Sequence, residues 1–121
     1  MVETYGLTHI SLAVRDLDQS LHFYHQVFGV KEYFRDEKSI QVISPRGHDV
    51  IAFEYDPVNA GQAKGINHFG FRLVNSSDIE KAVSDAERAG GTLIQKGEFA
   101  PGCPFAYIRD PDGYKIEIWY E

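Results

Sequence analysis

A short segment of this chain occurs twice, and the repetition limits what the chain can become. Gly6-Leu7-Thr8-His9-Ile10 returns as Gly65-Ile66-Asn67-His68-Phe69. Each copy reads Gly, apolar, polar, His, apolar, and each opens a short apolar strand. Behind each strand come a polar patch and a helical pattern. Two copies are too few for a solenoid. A chain of 121 residues divides naturally into two such halves.

In the first half the spacing of Leu17, Leu21, Tyr24 and Phe28 predicts a helix over Leu17–Phe28. Asp16 with Gln19 has the form of a capping box, and Gly29 stands where a left-handed C-terminal cap belongs. In the second half Ile79, Val83, Ala86 and Ala89 predict a helix over Asp78–Ala89, with Ser77 and Glu80 as its capping box and Gly90-Gly91 as its stop. Three strand-like runs follow each helix: Glu32–Arg35, Ser39–Ile43 and Asp49–Tyr55, then Thr92–Gln95, Phe105–Arg109 and Lys115–Tyr120. Pro45-Arg46-Gly47 and Asp110-Pro111-Asp112-Gly113 supply turns before the two final strands.

Each half therefore reads βαβββ. The fold class is α+β: two βαβββ modules laying their strands into a curved mixed sheet, helices on one face and a cup on the other. Module 1 covers about residues 6–57, the linker 58–64, and module 2 residues 65–121 of a single domain.

Strand periodicity then sorts the side chains. Ile10, Leu12 and Val14 belong under the helices, which sends His9, Ser11 and Ala13 to the cup. By the same parity His68, Gly70 and Arg72 take the cup face opposite Phe69, Phe71 and Leu73. Ile51, Phe53 and Tyr55 take the helix side, Ala52 and Glu54 the cup. Ile116, Ile118 and Tyr120 take the helix side, Lys115, Glu117 and Trp119 the cup. His9, His68 and Glu117, with Glu54 as a fourth, thus share one concave surface. A carboxylate in mid-strand between isoleucines costs several kcal/mol to desolvate unless a cation or strong donors meet it. Two imidazoles with one or two carboxylates suit a divalent ion: Zn, Ni, Mn or Fe. A set of two His and one carboxylate leaves positions open for substrate. A structural role stays open for each residue alone, and Arg72 is an available salt-bridge partner for Glu117.

Composition narrows the function classes. A net charge of -6 without a basic cluster argues against nucleic-acid binding. No apolar run is long enough for a membrane helix, and the amino terminus does not read as a signal peptide. One cysteine, Cys103, excludes an internal disulfide. The expectation is a cytoplasmic protein with a small-molecule substrate. His22 and His25 on the first helix and His48 in a turn lie off the cup. Phe99 and Phe105 either close an apolar pocket or fill space, and Trp119 either lines that pocket or packs.

At these residues the chain resembles the vicinal oxygen chelate superfamily: glyoxalase I, fosfomycin resistance proteins, methylmalonyl-CoA epimerase, extradiol dioxygenases and bleomycin resistance proteins. The residues that carry the resemblance are Leu7-Thr8-His9-Ile10-Ser11-Leu12-Ala13-Val14, Asp16-Leu17, Ser20-Leu21-His22-Phe23-Tyr24, Phe28-Gly29-Val30 and Asp110-Pro111-Asp112-Gly113-Tyr114-Lys115-Ile116-Glu117. The last of these is close to the glyoxalase I pattern. The resemblance implies one divalent metal per site, bound by His9, His68 and Glu117, that chelates adjacent oxygens of a substrate. It also implies a homodimer with sites shared between chains, His9 and Glu54 of one facing His68 and Glu117 of the other.

Three departures shape the reading. Glyoxalase I and the epimerase carry a fourth ligand where this chain has Ala52. Glu54 lies two residues on, about 6–7 Å further along the strand. Ala13 replaces the first-strand arginine that serves glutathione in glyoxalase I. No histidine follows His68, so the upstream acid–base histidine of the extradiol signature is missing.

The leading reading is a glyoxalase I-like lyase or isomerase. The metal polarises a carbonyl and stabilises an enediolate, Glu54 is the general base or a ligand, and Tyr107 and Arg72 orient the substrate. The alternatives are an Fe(II) extradiol dioxygenase, a fosfomycin-type thiol transferase, and a metal-free small-molecule-binding protein.

Overall fold

The computed structural model describes all 121 residues, Met1–Glu121. The chain divides into two compact units, Met1–Ala60 and Gly61–Glu121.

Unit 1 runs β1 (His9–Val14), α1 (Leu17–Phe28), β2 (Lys31–Arg35), β3 (Ser39–Ile43) and β4 (Val50–Tyr55). Its strands form one sheet in the order β1-β4-β3-β2, with β1 parallel to β4 and the other pairs antiparallel. The helix begins and ends as its sequence predicts. Asp16 accepts a hydrogen bond from the Gln19 backbone N–H at 2.9 Å, and Gly29 closes the helix at φ 68°. That left-handed conformation costs a residue with a Cβ about 1–2 kcal/mol and costs glycine little. Of the expected stripe of Leu17, Leu21, Tyr24 and Phe28, Tyr24 is buried and the others are half-buried, while Ser20 and Phe23 complete the buried face of α1. Phe23 meets Tyr24 edge-on at 5.2 Å, and Tyr24 meets Phe53 of β4 at 5.1 Å. These rings, with Val14, Ile40 and Val42, are fully buried and hold the helix on the sheet. Tyr55, expected on the helix side, lies at the strand end and is exposed.

Unit 2 runs β5 (Phe69–Arg72), a 3-10 turn (Ser76–Asp78), α2 (Ile79–Arg88), β6 (Thr92–Ala100), β7 (Cys103–Arg109) and β8 (Lys115–Trp119). The strand order, β5-β8-β7-β6, repeats that of unit 1, and β5 is again parallel to β8. The fold class stands, with the strands hydrogen-bonded as two four-stranded sheets, one in each unit. The Ser77–Glu80 capping box is not formed. Ser77 lies inside the 3-10 turn, α2 has no side-chain cap, and Glu80 instead accepts from Lys96 of β6 at 3.0 Å. The strand expected over Thr92–Gln95 runs on to Ala100, because Lys96, Gly97 and Glu98 pair with Ala106, Phe105 and Pro104. Ala82, Val83 and Ala86 of α2 pack over a core of Ala106, Ile108, Ile116 and Ile118.

The turn into β8 is tightly built. Asp110 is buried, and its Oδ1 accepts from the backbone N–H groups of Asp112, Gly113 and Tyr114 at 2.9–3.0 Å. Gly113 sits at φ 102°, which explains glycine there. This turn fixes where β8 begins and hence which face Glu117 takes.

Candidate functional site

In unit 2 the strand pairing gathers the expected residues. Glu117 lies between Gly70 of β5 and Tyr107 of β7, its partners in register. His68 stands just before β5, two residues from Gly70 and on the same face by alternation. His68 Nε2 is 3.3 Å from Glu117 Oε2. Both side chains remain reachable, His68 32% and Glu117 15% exposed.

Two neighbours hold this pair. The Asn67 side-chain oxygen lies 2.7 Å from His68 Nδ1. An amide oxygen only accepts, so Nδ1 is the donor in this contact and Nε2 is turned towards Glu117. The Tyr107 ring meets His68 edge-on at 5.2 Å. Burial, and after it a hydrogen bond donated to Glu117, pushes the Tyr107 phenol above its usual value, so it stays a donor at neutral pH. Lys115 Nζ lies over the same ring, 4.5 Å from its centre.

The donor chemistry fits a divalent metal. An imidazole nitrogen and a carboxylate oxygen face each other, both of them donor atoms that divalent ions take. Two ligands about 2.1 Å from one ion, at roughly 90–110°, lie about 3.0–3.4 Å apart. The His68–Glu117 separation of 3.3 Å falls in that range. An Asn oxygen on the far ring nitrogen is the kind of support that metal-binding histidines use. Asn67 escaped the reading from sequence, although the duplicated segment sets a polar residue directly before each histidine.

Unit 1 presents a different set of side chains. His9 is in register with Val50, Ser11 with Ala52, and Ala13 with Glu54. In unit 2 the residue two beyond the histidine, Gly70, pairs with Glu117. Ala52 therefore holds the place in unit 1 that Glu117 holds in unit 2, and Glu54 matches Trp119. His9 and Glu54 are exposed, Ala52 is buried. Within neither unit do three His, Cys, Asp or Glu side chains gather as a metal site.

Arg72 is engaged elsewhere than at Glu117. Its guanidinium lies over Trp119, 5.5 Å from the ring centre, and donates to the Glu121 carbonyl. The Arg72–Glu117 ion pair left open by the sequence is thus absent. Trp119 and Glu121 in turn help line an open cavity of about 320 Å³, with Phe99, Ala100, Cys103 and Glu117. His25 is structural: its Nδ1 lies 2.8 Å from the Val30 carbonyl just past the helix. His22 and His48 are exposed. No helix is long and apolar enough to cross a membrane.

Known proteins share this architecture. The sequence profile of the Glyoxalase/Bleomycin resistance protein/Dioxygenase superfamily matches residues 6–118. The glutathione transferase FosA of Serratia marcescens is 30% identical over 116 residues, 93% of this chain and 79% of that protein. A probable lactoylglutathione lyase of Vibrio cholerae is 30% identical over 127 residues, 97% of this chain and 91% of that one. Among solved structures, the fosfomycin resistance protein FosX of Listeria monocytogenes superposes with a TM-score of 0.82 at 20% identity, over 98% of this chain and 95% of that one. The chain belongs to the glyoxalase/bleomycin resistance protein/dioxygenase superfamily.

Proposed function

We propose that this chain is a divalent-metal-dependent enzyme of the glyoxalase I type, a lyase or isomerase acting on a small carbonyl compound or its thiol adduct. His9, His68 and Glu117 hold the ion, which is Ni, Zn, Mn or Fe. The donors come from two copies of the chain in a homodimer, His9 and Glu54 from one and His68 and Glu117 from the other. When bound, the ion supplies Lewis-acid stabilisation of negative charge developing on a substrate oxygen.

The chain's own residues do the rest. Asn67 keeps the proton on Nδ1 of His68, so that Nε2 is free to bind. Tyr107 donates to Glu117 and holds one carboxylate oxygen in place. Glu54 takes the proton from the carbon beside the substrate carbonyl. Its exposed carboxylate on the face of His9 and Ala13 gives it access. Arg72 positions Trp119 and Glu121 at the wall of the cavity that Glu117 lines.

The observation that carries this reading is the approach of His68 Nε2 to 3.3 Å from Glu117 Oε2 on one face of unit 2. The test is Glu54→Ala in the metal-loaded protein, assayed on 2-oxoaldehydes with several thiols. General-base loss lowers kcat by about 100- to 10,000-fold, with metal content unchanged. Loss of the metal would make Glu54 a ligand instead, and unchanged kcat would remove it from the mechanism.

One observation favours a second reading, fosfomycin-type thiol transfer. Ala52 in the place equivalent to Glu117 leaves three protein donors rather than four. On that reading Glu54→Ala leaves turnover intact, and the protein consumes an epoxide with a thiol.

A further inference from the structure

The face of unit 2 that carries Glu117 is paved with rings. Phe99 and Phe105 stack at 4.6 Å with 24° between their planes. Phe105 meets Tyr107 at 5.6 Å, and Tyr107 meets His68 at 5.2 Å. One row of aromatic rings therefore runs from the tip of β6 to the candidate metal ligand. Trp119 stands beside it, in register with Phe105 and covered by Arg72.

Two glycines clear the surface on which these rings lie. A Cβ at Gly97 would stand 3.2 Å from the Phe105 ring, so glycine there lets the ring lie against β6. A Cβ at Gly70 would stand 3.0 Å from the Glu117 carbonyl oxygen and 3.5 Å from Trp119 Cδ1. Its absence bares the sheet directly beside Glu117, a place where a strand glycine admits a ligand.

The cavity between these features is lined by Phe99, Ala100, Cys103, Glu117, Trp119 and Glu121. Phe99 is 58% exposed, a large apolar surface left open to water at its wall. The lining carries two carboxylates, Glu117 and Glu121, and the Arg72 guanidinium stands behind it over Trp119 and on Glu121, so most of the reachable wall is apolar. Such a wall of rings rewards an uncharged planar body. At about 320 Å³ the cavity has room for a substituted benzene ring.

We infer that the substrate of this site carries an uncharged aromatic body, seated against Phe99 and Trp119, with its reacting oxygens directed to Glu117. The inference rests on the proposed function, because it takes Glu117 and His68 as the reacting end of the cavity.

The test uses two neutral probes with the same pair of adjacent oxygens, benzohydroxamic acid and acetohydroxamic acid, titrated calorimetrically into the zinc-loaded protein. Trp119 is the chain's single tryptophan, so its fluorescence reports the same event from inside the cavity. The expected result is that benzohydroxamic acid binds at least about tenfold more tightly and changes the Trp119 emission. Phe99→Ala, at an exposed position, collapses the ratio between the probes towards one. Equal binding of both probes with no response from Trp119 overturns the aromatic subsite and leaves the metal reading standing. Binding of neither probe to zinc-loaded protein overturns both.

Discussion

The two units share a strand order, a helix after the first strand and a parallel pairing of first and last strands, yet they offer different chemistry. In unit 2 the histidine finds a carboxylate within 3.3 Å, an asparagine behind it and a tyrosine on the carboxylate. In unit 1 the same register sets Ala52 where that carboxylate stands, and Glu54 follows one repeat of the pleat further on. Backbone pairing is thus repeated more faithfully than the side chains it carries. The sheet supplies equivalent addresses, and single residues decide which chemistry each one carries.

The largest difference between the units is expected at the turns into β4 and β8. Asp110→Ala strands the buried backbone N–H groups of Asp112 and Tyr114, while that of Gly113 keeps the Asp110 carbonyl, and should lower stability by about 2 kcal/mol or more. The matching turn of unit 1 rests on a lone side-chain bond, Ser44 to Asp49 at 2.8 Å. Ser44→Ala should cost about 1 kcal/mol. Denaturant unfolding of the two variants side by side checks this, and equal losses would break the contrast.

A smaller effect sharpens the contrast at the two histidines. Tyr107→Phe removes the donor to Glu117 and leaves the ring against His68. Metal affinity should fall by about tenfold or more, the usual cost of losing a residue that orients a ligand. Competition with a chelator of known affinity measures it. An unchanged affinity would reduce Tyr107 to packing.

The smallest effect belongs to the hairpins. Asp36 at the β2–β3 turn accepts from the backbone of Lys38 and from the hydroxyl and backbone of Ser39, which lowers its pKa. The β6–β7 turn uses Pro101 and Gly102 instead. A depressed folded pKa means that the contribution is complete above the unfolded value of about 3.9 and is lost as pH falls through the folded value. Asp36→Asn should therefore lower Tm slightly at pH 7, and the difference should vanish in acid. Thermal unfolding at the two pH values decides it. A difference that persists in acid would assign the effect to something other than the charge.

Much of this was legible in the sequence because repetition and turn chemistry are local. Asp16, Gly29 and Asp110–Gly113 act within a few residues, and the structure has the Asp16 cap, the Gly29 stop and the Asp110–Gly113 turn as read, without the return bond from Gln19 that a full capping box would add. What failed depended on distant partners. Glu80 leaves its expected cap because Lys96 reaches it from β6. Arg72 leaves Glu117 because Trp119, its partner in register, offers a ring face. β6 outruns its pattern because β7 supplies hydrogen bonds that Lys96-Gly97-Glu98 do not advertise. Phe23 was missed because the helix buries a face shifted from the stripe of leucines. At the site, alternation named the face of His68 and Glu117, whereas the roles of Asn67 and the aromatic row needed the pairing of three strands.

The most direct test is metal analysis of the purified protein beside His9→Ala, His68→Ala and Glu117→Ala, each confirmed folded by circular dichroism. One divalent ion per site in the wild type, lost in all three variants, is the result expected if both halves hold one ion. Stoichiometric metal that survives Glu117→Ala or His68→Ala, or no binding by the wild type after reconstitution, would contradict it.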